Sequence, residues 1–136
     1  MFTKILVGTD TSAAADMAVE TAADLARRND AELLVLHVRS LDEGRDVVDP
    51  SKRPDPGAYL SAMPGRFSPL RVETRSQEGD PAAVIVDVAE AEGADAIVLG
   101  NRGTHGRWWR VRDSVPNIVL RHSPCSVFIV DTRRAQ

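Results

Sequence analysis

The stretch Ala96-Ile97-Val98-Leu99-Gly100-Asn101-Arg102-Gly103-Thr104-His105-Gly106 decides the fold. Four apolar residues run into a glycine-rich polar segment, and an amphipathic stretch follows from Ser114, which together read as strand, loop and helix start. Glycines let backbone N–H groups approach a phosphate, and a helix N-terminus adds unpaired donors and a partial positive charge. The segment therefore predicts an anion cradle at the carboxyl end of a buried strand. Asp113 opposes that reading, because a carboxylate where the loop enters the helix repels the anion.

Outward from this stretch the same alternation recurs. Ile5-Leu6-Val7-Gly8 is a short buried strand ending in Thr9-Asp10-Thr11-Ser12, polar residues suited to a turn and an N-cap. Over residues 13–28, Ala15, Ala18, Val19, Ala22, Leu25 and Ala26 recur at spacings of three and four. That spacing predicts a helix with one small-residue face, leaving Asp16, Glu20, Asp24 and Arg27 elsewhere. Asn29-Asp30 turns the chain into Leu33-Leu34-Val35-Leu36-His37-Val38, nearly continuous apolar sequence suited to a strand covered on both faces.

Residues 42–69 hold five of the eight prolines and few aliphatic residues, so they read as a Pro-rich crossover loop with a helical turn around residues 58–63. Arg71-Val72-Glu73-Thr74-Arg75 alternates like an edge strand. Glu78-Gly79-Asp80-Pro81 reads as a turn, a cap and an N1 proline before a helix reaching Glu92 and closed by Gly93. Residues 115–121 fit a further helix and residues 127–130 a fifth strand. The order β-α-β, loop, β-α-β-α-β predicts an α/β fold with an open, parallel, doubly wound sheet. In such sheets ligands bind past the carboxyl ends of the strands where the winding reverses. With the first strand central and the fourth beside it, residues 8–10 and 99–103 end at one crevice, with Val38 on the other side of the first strand.

The chain has 136 residues, 43% hydrophobic and 27% charged, enough for one core-bearing domain over residues 1–136. A net charge of −3 and a pI near 5.6 offer no whole-molecule attraction for nucleic acid or anionic lipid. One cysteine cannot build an intramolecular disulfide framework, and no apolar run nears the ~20 residues that span a bilayer. The expectation is a soluble, cytoplasmic protein.

Over nearly its full length the chain resembles a universal stress protein domain. The resemblance rests on Ile5-Leu6-Val7-Gly8-Thr9-Asp10, Leu36-His37-Val38, Glu78-Gly79-Asp80-Pro81, Ala94-Asp95-Ala96-Ile97-Val98-Leu99-Gly100 and His122-Ser123-Pro124-Cys125-Ser126-Val127. It implies an adenine nucleotide alpha hydrolase-like fold, five parallel strands in the order 3-2-1-4-5, and a homodimer formed through the last strand, Val127, Phe128, Ile129 and Val130. For some members it also implies bound ATP, with Mg²⁺. Their pattern G-x2-G-x9-G-S/T matches Gly100, Gly103 and the hydroxyl of Ser114, but Asp113 stands at its third glycine. By the same resemblance Asp10 holds the ribose or adenine end, Gly8 and Val38 offer backbone contacts to the base, and Leu99 and Arg102 line the site. Thr9 and Val115 complete the set of site candidates. Thr11 stands where a glycine or other small residue is common.

A carboxylate about 5 Å from a phosphate charge, at an effective dielectric near 20, costs roughly 3 kcal/mol before salt screening. Helix N-terminus attraction returns only ~0.3–1 kcal/mol, or about 2 in favourable sites. Mg²⁺ between Asp113 and phosphate, or compensation by Arg102, Arg107, Arg110 and Arg112, would reverse the balance. The bland alternative is that Asp113 caps the helix and takes the N–H groups a phosphate would use.

Trp108 and Trp109, in the same loop, suit stacking on a base or a partner surface, or packing over the crevice or in a dimer interface. Asp10 reads as a helix cap and ribose acceptor rather than a catalyst. His37 reads as a strand-end residue with one hydrogen bond, His122 as a helix C-terminal residue, and Cys125 as a small buried thiol; His105 is the histidine poised in the loop. There is no G-x4-GK-S/T loop, metal-ligand spacing or Gly-x-Ser-x-Gly elbow. Three readings remain: a regulatory nucleotide-binding protein of the stress response, a slow Mg-dependent ATP hydrolase, and a dimeric partner-interaction protein without nucleotide.

Overall fold

The computed structural model describes residues 1–39, 55–101 and 114–133. Five strands, β1 (Lys4–Thr9), β2 (Glu32–Arg39), β3 (Val72–Glu78), β4 (Ala96–Gly100) and β5 (Ser126–Val130), form one sheet in the order β3-β2-β1-β4-β5. Every neighbouring pair is parallel, with Val7 beside Val35 on one side and Val98 on the other. The winding reverses at β1, as the family resemblance implies.

Alternation in the three central strands explains their near-continuous apolar runs. Ile5, Val7, Leu33, Val35, Ala96 and Val98 point into one core, against α1 (Ala13–Asn29) and the helices α2 (Pro56–Ser61) and α3 (Met63–Arg66). Leu6, Leu34, Leu36, Ile97 and Leu99 point into the other, against α4 (Pro81–Glu92) and α5 (Val115–His122). A strand covered on both faces has no solvent side, so both parities are apolar. The small-residue face of α1, with Ala18, Val19, Ala22 and Ala26 fully buried, lets that helix sit close to the sheet.

Residues 55–66 are more ordered than a loop with one helical turn. Asp55 caps α2 by accepting from Ala58 N at 3.1 Å, Pro56 occupies the first turn, and Leu60, Met63 and Phe67 are buried in the α1-side core. The apolar anchors are few but all point inward. The edge strand runs to Glu78, beyond the alternation at residues 71–75, because β2 is long enough to pair with it through Arg39. Gly79 then turns the chain at φ +148°, where a Cβ would come within 2.9 Å of Val84, and Asp80 caps α4.

Candidate functional site

The carboxyl ends of β1 and β4 lie side by side, and the helices that follow them start on opposite faces of the sheet. After β1 the chain makes a tight polar turn. Thr9 Oγ1 accepts from Thr11 N at 3.0 Å, Asp10 Oδ1 accepts from Ser12 N at 2.9 Å, and Ser12 Oγ accepts from Ala15 N at 3.1 Å. The cap of α1 is therefore Ser12, not Asp10; the Asp10 carboxylate instead closes an Asx turn that sets up the cap. Thr11, 3% exposed, is held at φ +68°, a left-handed conformation that a β-branched residue rarely adopts. Its place in the pattern, where glycine is common, thus has a backbone reason.

The glycines of the site are set by packing. A Cβ on Gly8 would lie 3.0 Å from Leu99 Cδ2 and 3.2 Å from Ile85 Cδ1, so β1 and β4 meet closely here. A Cβ on Gly100 would lie 3.0 Å from Thr132 Cγ2 and 3.5 Å from the Ala14 carbonyl, where the start of α1 crosses the end of β4. Just beyond, Asn101 clamps the segment after β5. Its Oδ1 accepts from both the backbone N–H (3.0 Å) and the hydroxyl (2.9 Å) of fully buried Thr132, and Asn101 N donates to the Val130 carbonyl at 3.0 Å. Beside the clamp, the Arg133 guanidinium lowers the Asp131 carboxyl to about 2.

At the start of α5, Ser114 is the cap, its Oγ accepting from Asn117 N at 3.4 Å with Pro116 in the first turn. The capping role considered for Asp113 thus belongs to its neighbour. The structure brings together Gly8, Thr9, Asp10, Leu99 and Gly100 around the β1 and β4 ends, and Val38 follows His37, the register partner of Thr9. Ser114 and Val115 begin α5. Arg102, Gly103 and Asp113, and with them His105, Arg107, Trp108, Trp109, Arg110 and Arg112, lie outside the described residues. Among the described residues no group of three His, Cys, Asp or Glu is placed to hold a metal. Buried His37 meets Ser76 Oγ at 3.2 Å through Nδ1, and Cys125 is half-buried rather than buried, beside Ser123 Oγ at 3.7 Å.

Two features escaped the sequence. A cleft of about 450 Å³ opens at the carboxyl ends of β2 and β3, lined by His37, Arg39, Asp55, Pro56, Gly57, Ser76, Gln77 and Glu78. Between α1 and the α2–α3 segment lies a charged cluster. Arg66 grips Asp16 with two bonds (2.7 and 2.9 Å) and reaches Glu20 (2.9 Å), while the Tyr59 hydroxyl donates to Asp16 Oδ1 at 2.5 Å. Hydrogen bonding from Arg66 holds the Asp16 carboxyl below the usual carboxylate range; burial and the Asp16 carboxylate push the Tyr59 phenol well up. These partners are 43 and 50 residues apart, so no local pattern signals them.

Over residues 1–131 the chain matches the model of the universal stress protein family. It is 32% identical to the universal stress protein Sll1654 of Synechocystis, over 96% of this chain and 86% of that protein. It is 30% identical to the universal stress protein YxiE of Bacillus subtilis, over 96% of this chain and 99% of the relative. Among solved structures, a universal stress protein in complex with cAMP superposes with a TM-score of 0.78 at 26% identity, over 96% of this chain and 98% of that one. With the strand order that the resemblance implies now observed, and the family model matched along nearly all its length, the chain belongs to the universal stress protein family.

Proposed function

We propose that the chain is a regulatory binding protein of the stress response that takes an adenine nucleotide in the crevice between β1 and β4 and works as a homodimer. The observation that carries the ligand reading is the switch point itself. Two neighbouring parallel strands end there, and a serine-capped helix follows each of them on opposite faces of the sheet. The structurally similar family member with cAMP supports the ligand class. Asp10 takes the ribose or base end, the backbone of Gly8 and Val38 borders the base, and Gly100, Gly103, Ser114 and Val115 border the phosphates, with Arg102 supplying positive charge.

The homodimer rests on β5. It is an edge strand with an uncharged sequence, Ser126-Val127-Phe128-Ile129-Val130, and Phe128 is 40% exposed. An uncharged apolar edge is a template for another strand, and a second copy of β5 is its natural complement.

Titration calorimetry with ATP and cAMP, each with and without Mg²⁺, tests the ligand reading. Saturable binding that disappears in a folded Asp10→Ala variant is the expected result. No heat with either nucleotide would refute it and leave a dimeric partner-interaction protein. Phosphate release from ATP that Ser114→Ala removes would instead make the site a hydrolase.

A further inference from the structure

We propose that Tyr59, Asp16 and Arg66 form a positioning network that holds the β1–α1 turn, and with it Asp10, in its ligand-ready shape; this rests on the nucleotide reading above. The network spans three elements. Arg66 of α3 is fixed over the Phe67 ring, 4.7 Å from its centroid, and binds Asp16 with both terminal nitrogens. Asp16 belongs to the first turn of α1, and its N–H makes the first helical bond, to Ser12 O at 2.9 Å. Tyr59 of α2 joins them through Asp16 Oδ1. Ahead of Ser12, Thr9 Oγ1 accepts from Thr11 N–H, so the turn and the first turn of α1 are continuous.

Thr11 is the reason such support is needed. A β-branched residue at φ +68° relaxes toward negative φ unless its surroundings hold it. Any relaxation swings the peptide between Thr11 and Ser12, and Ser12 N is the donor that fixes the Asp10 carboxylate. Asp10 has one covalent neighbour on β1 and the other on this strained residue. The polar groups around it therefore decide where its carboxylate points. Anchoring the turn to the segment of α2 and α3, where Leu60, Met63 and the following Phe67 are buried in the core, transfers that decision to a well-packed segment.

The test combines Tyr59→Phe with Thr11→Gly. Tyr59→Phe keeps the ring and leaves both Arg66–Asp16 bonds in place, so the fold survives. Amide exchange by NMR reads the network without nucleotide. In Tyr59→Phe the Thr11 and Ser12 amides should exchange faster while the β-sheet amides stay as in the parent chain. On a Thr11→Gly background, where positive φ carries no strain, the same substitution should change them little. ATP affinity should fall roughly three- to tenfold in Tyr59→Phe and recover in the double variant, the loss expected when one hydrogen bond of a support is removed. Unchanged Thr11 and Ser12 exchange would overturn the network. So would an affinity loss of the same size on both backgrounds, since Tyr59 would then act by another route. If the parent chain binds no nucleotide while exchange responds as expected, the nucleotide reading fails and the network stands as a support of the turn.

Discussion

Replacing Asn101 by alanine should destabilise the protein far more than its position just after a strand suggests. Its side-chain oxygen is the acceptor for two donors of Thr132, a residue with no exposed surface. Losing it strands a buried backbone N–H, at about 1–3 kcal/mol, and weakens the hydrogen bonding of a buried hydroxyl, at roughly 0.5–1.5 kcal/mol net. The sum, roughly 2–4 kcal/mol, is a large part of the ~5–15 kcal/mol by which a domain is stable. With a urea slope of about 2 kcal/mol/M, the unfolding midpoint should fall by about 1–2 M while the slope stays constant. Thr132→Val separates the two parts, because it removes only the hydroxyl and leaves the N–H bonded; it should cost about 1 kcal/mol. A loss under ~0.5 kcal/mol in Asn101→Ala would refute the clamp. Equal losses in the two variants would show that the hydroxyl carries the whole effect and the backbone bond none.

Three further outcomes follow from the site and its borders. Asp113→Gly should tighten ATP binding about tenfold by calorimetry, since the roughly 3 kcal/mol repulsion is about halved by screening at physiological salt; unchanged or weaker binding would remove Asp113 as the obstacle. Phe128→Lys places a charge on the exposed edge strand and should shift the sedimentation coefficient to that of a monomer; a persisting dimer would put the interface away from β5. Because Arg66 lowers the folded-state pKa of Asp16 below its ordinary value, the contribution of that ion pair is fully present above about pH 4 and lost as the pH falls through the lowered value. Asp16→Asn should therefore be less stable at neutral pH yet lose less stability between about pH 4 and 2, and parallel acid limbs in urea titrations would contradict the assignment.

What the sequence discloses and what it hides divide along the range of the interactions. The runs at residues 5–8, 33–38 and 96–99 identify the central strands because burial on both faces demands apolar residues at every position. With the turns and helices between them they also predict a parallel, doubly wound sheet, whereas the order of the strands came from the family resemblance. Caps are harder. Asp10 and Ser12, or Asp113 and Ser114, are both chemically able to cap, and the choice depends on which residue leaves the strand with the right backbone angles. The α2–α3 segment was legible only as a turn, since three buried side chains spread over eight residues are too few for a periodic signal but enough to anchor two short helices. Least visible are the side-chain bonds between residues distant in sequence. Asn101 meets Thr132 across 31 residues, and Tyr59 meets Asp16 across 43. Both bonds join residues far apart in sequence, so neither leaves a local pattern. They also act at different places: one ties the end of β4 to the chain leaving β5, the other ties the start of α1 to the crossover from β2 to β3. The two sides of the proposed crevice are thus held by separate long-range contacts, neither of which involves residues 102–113.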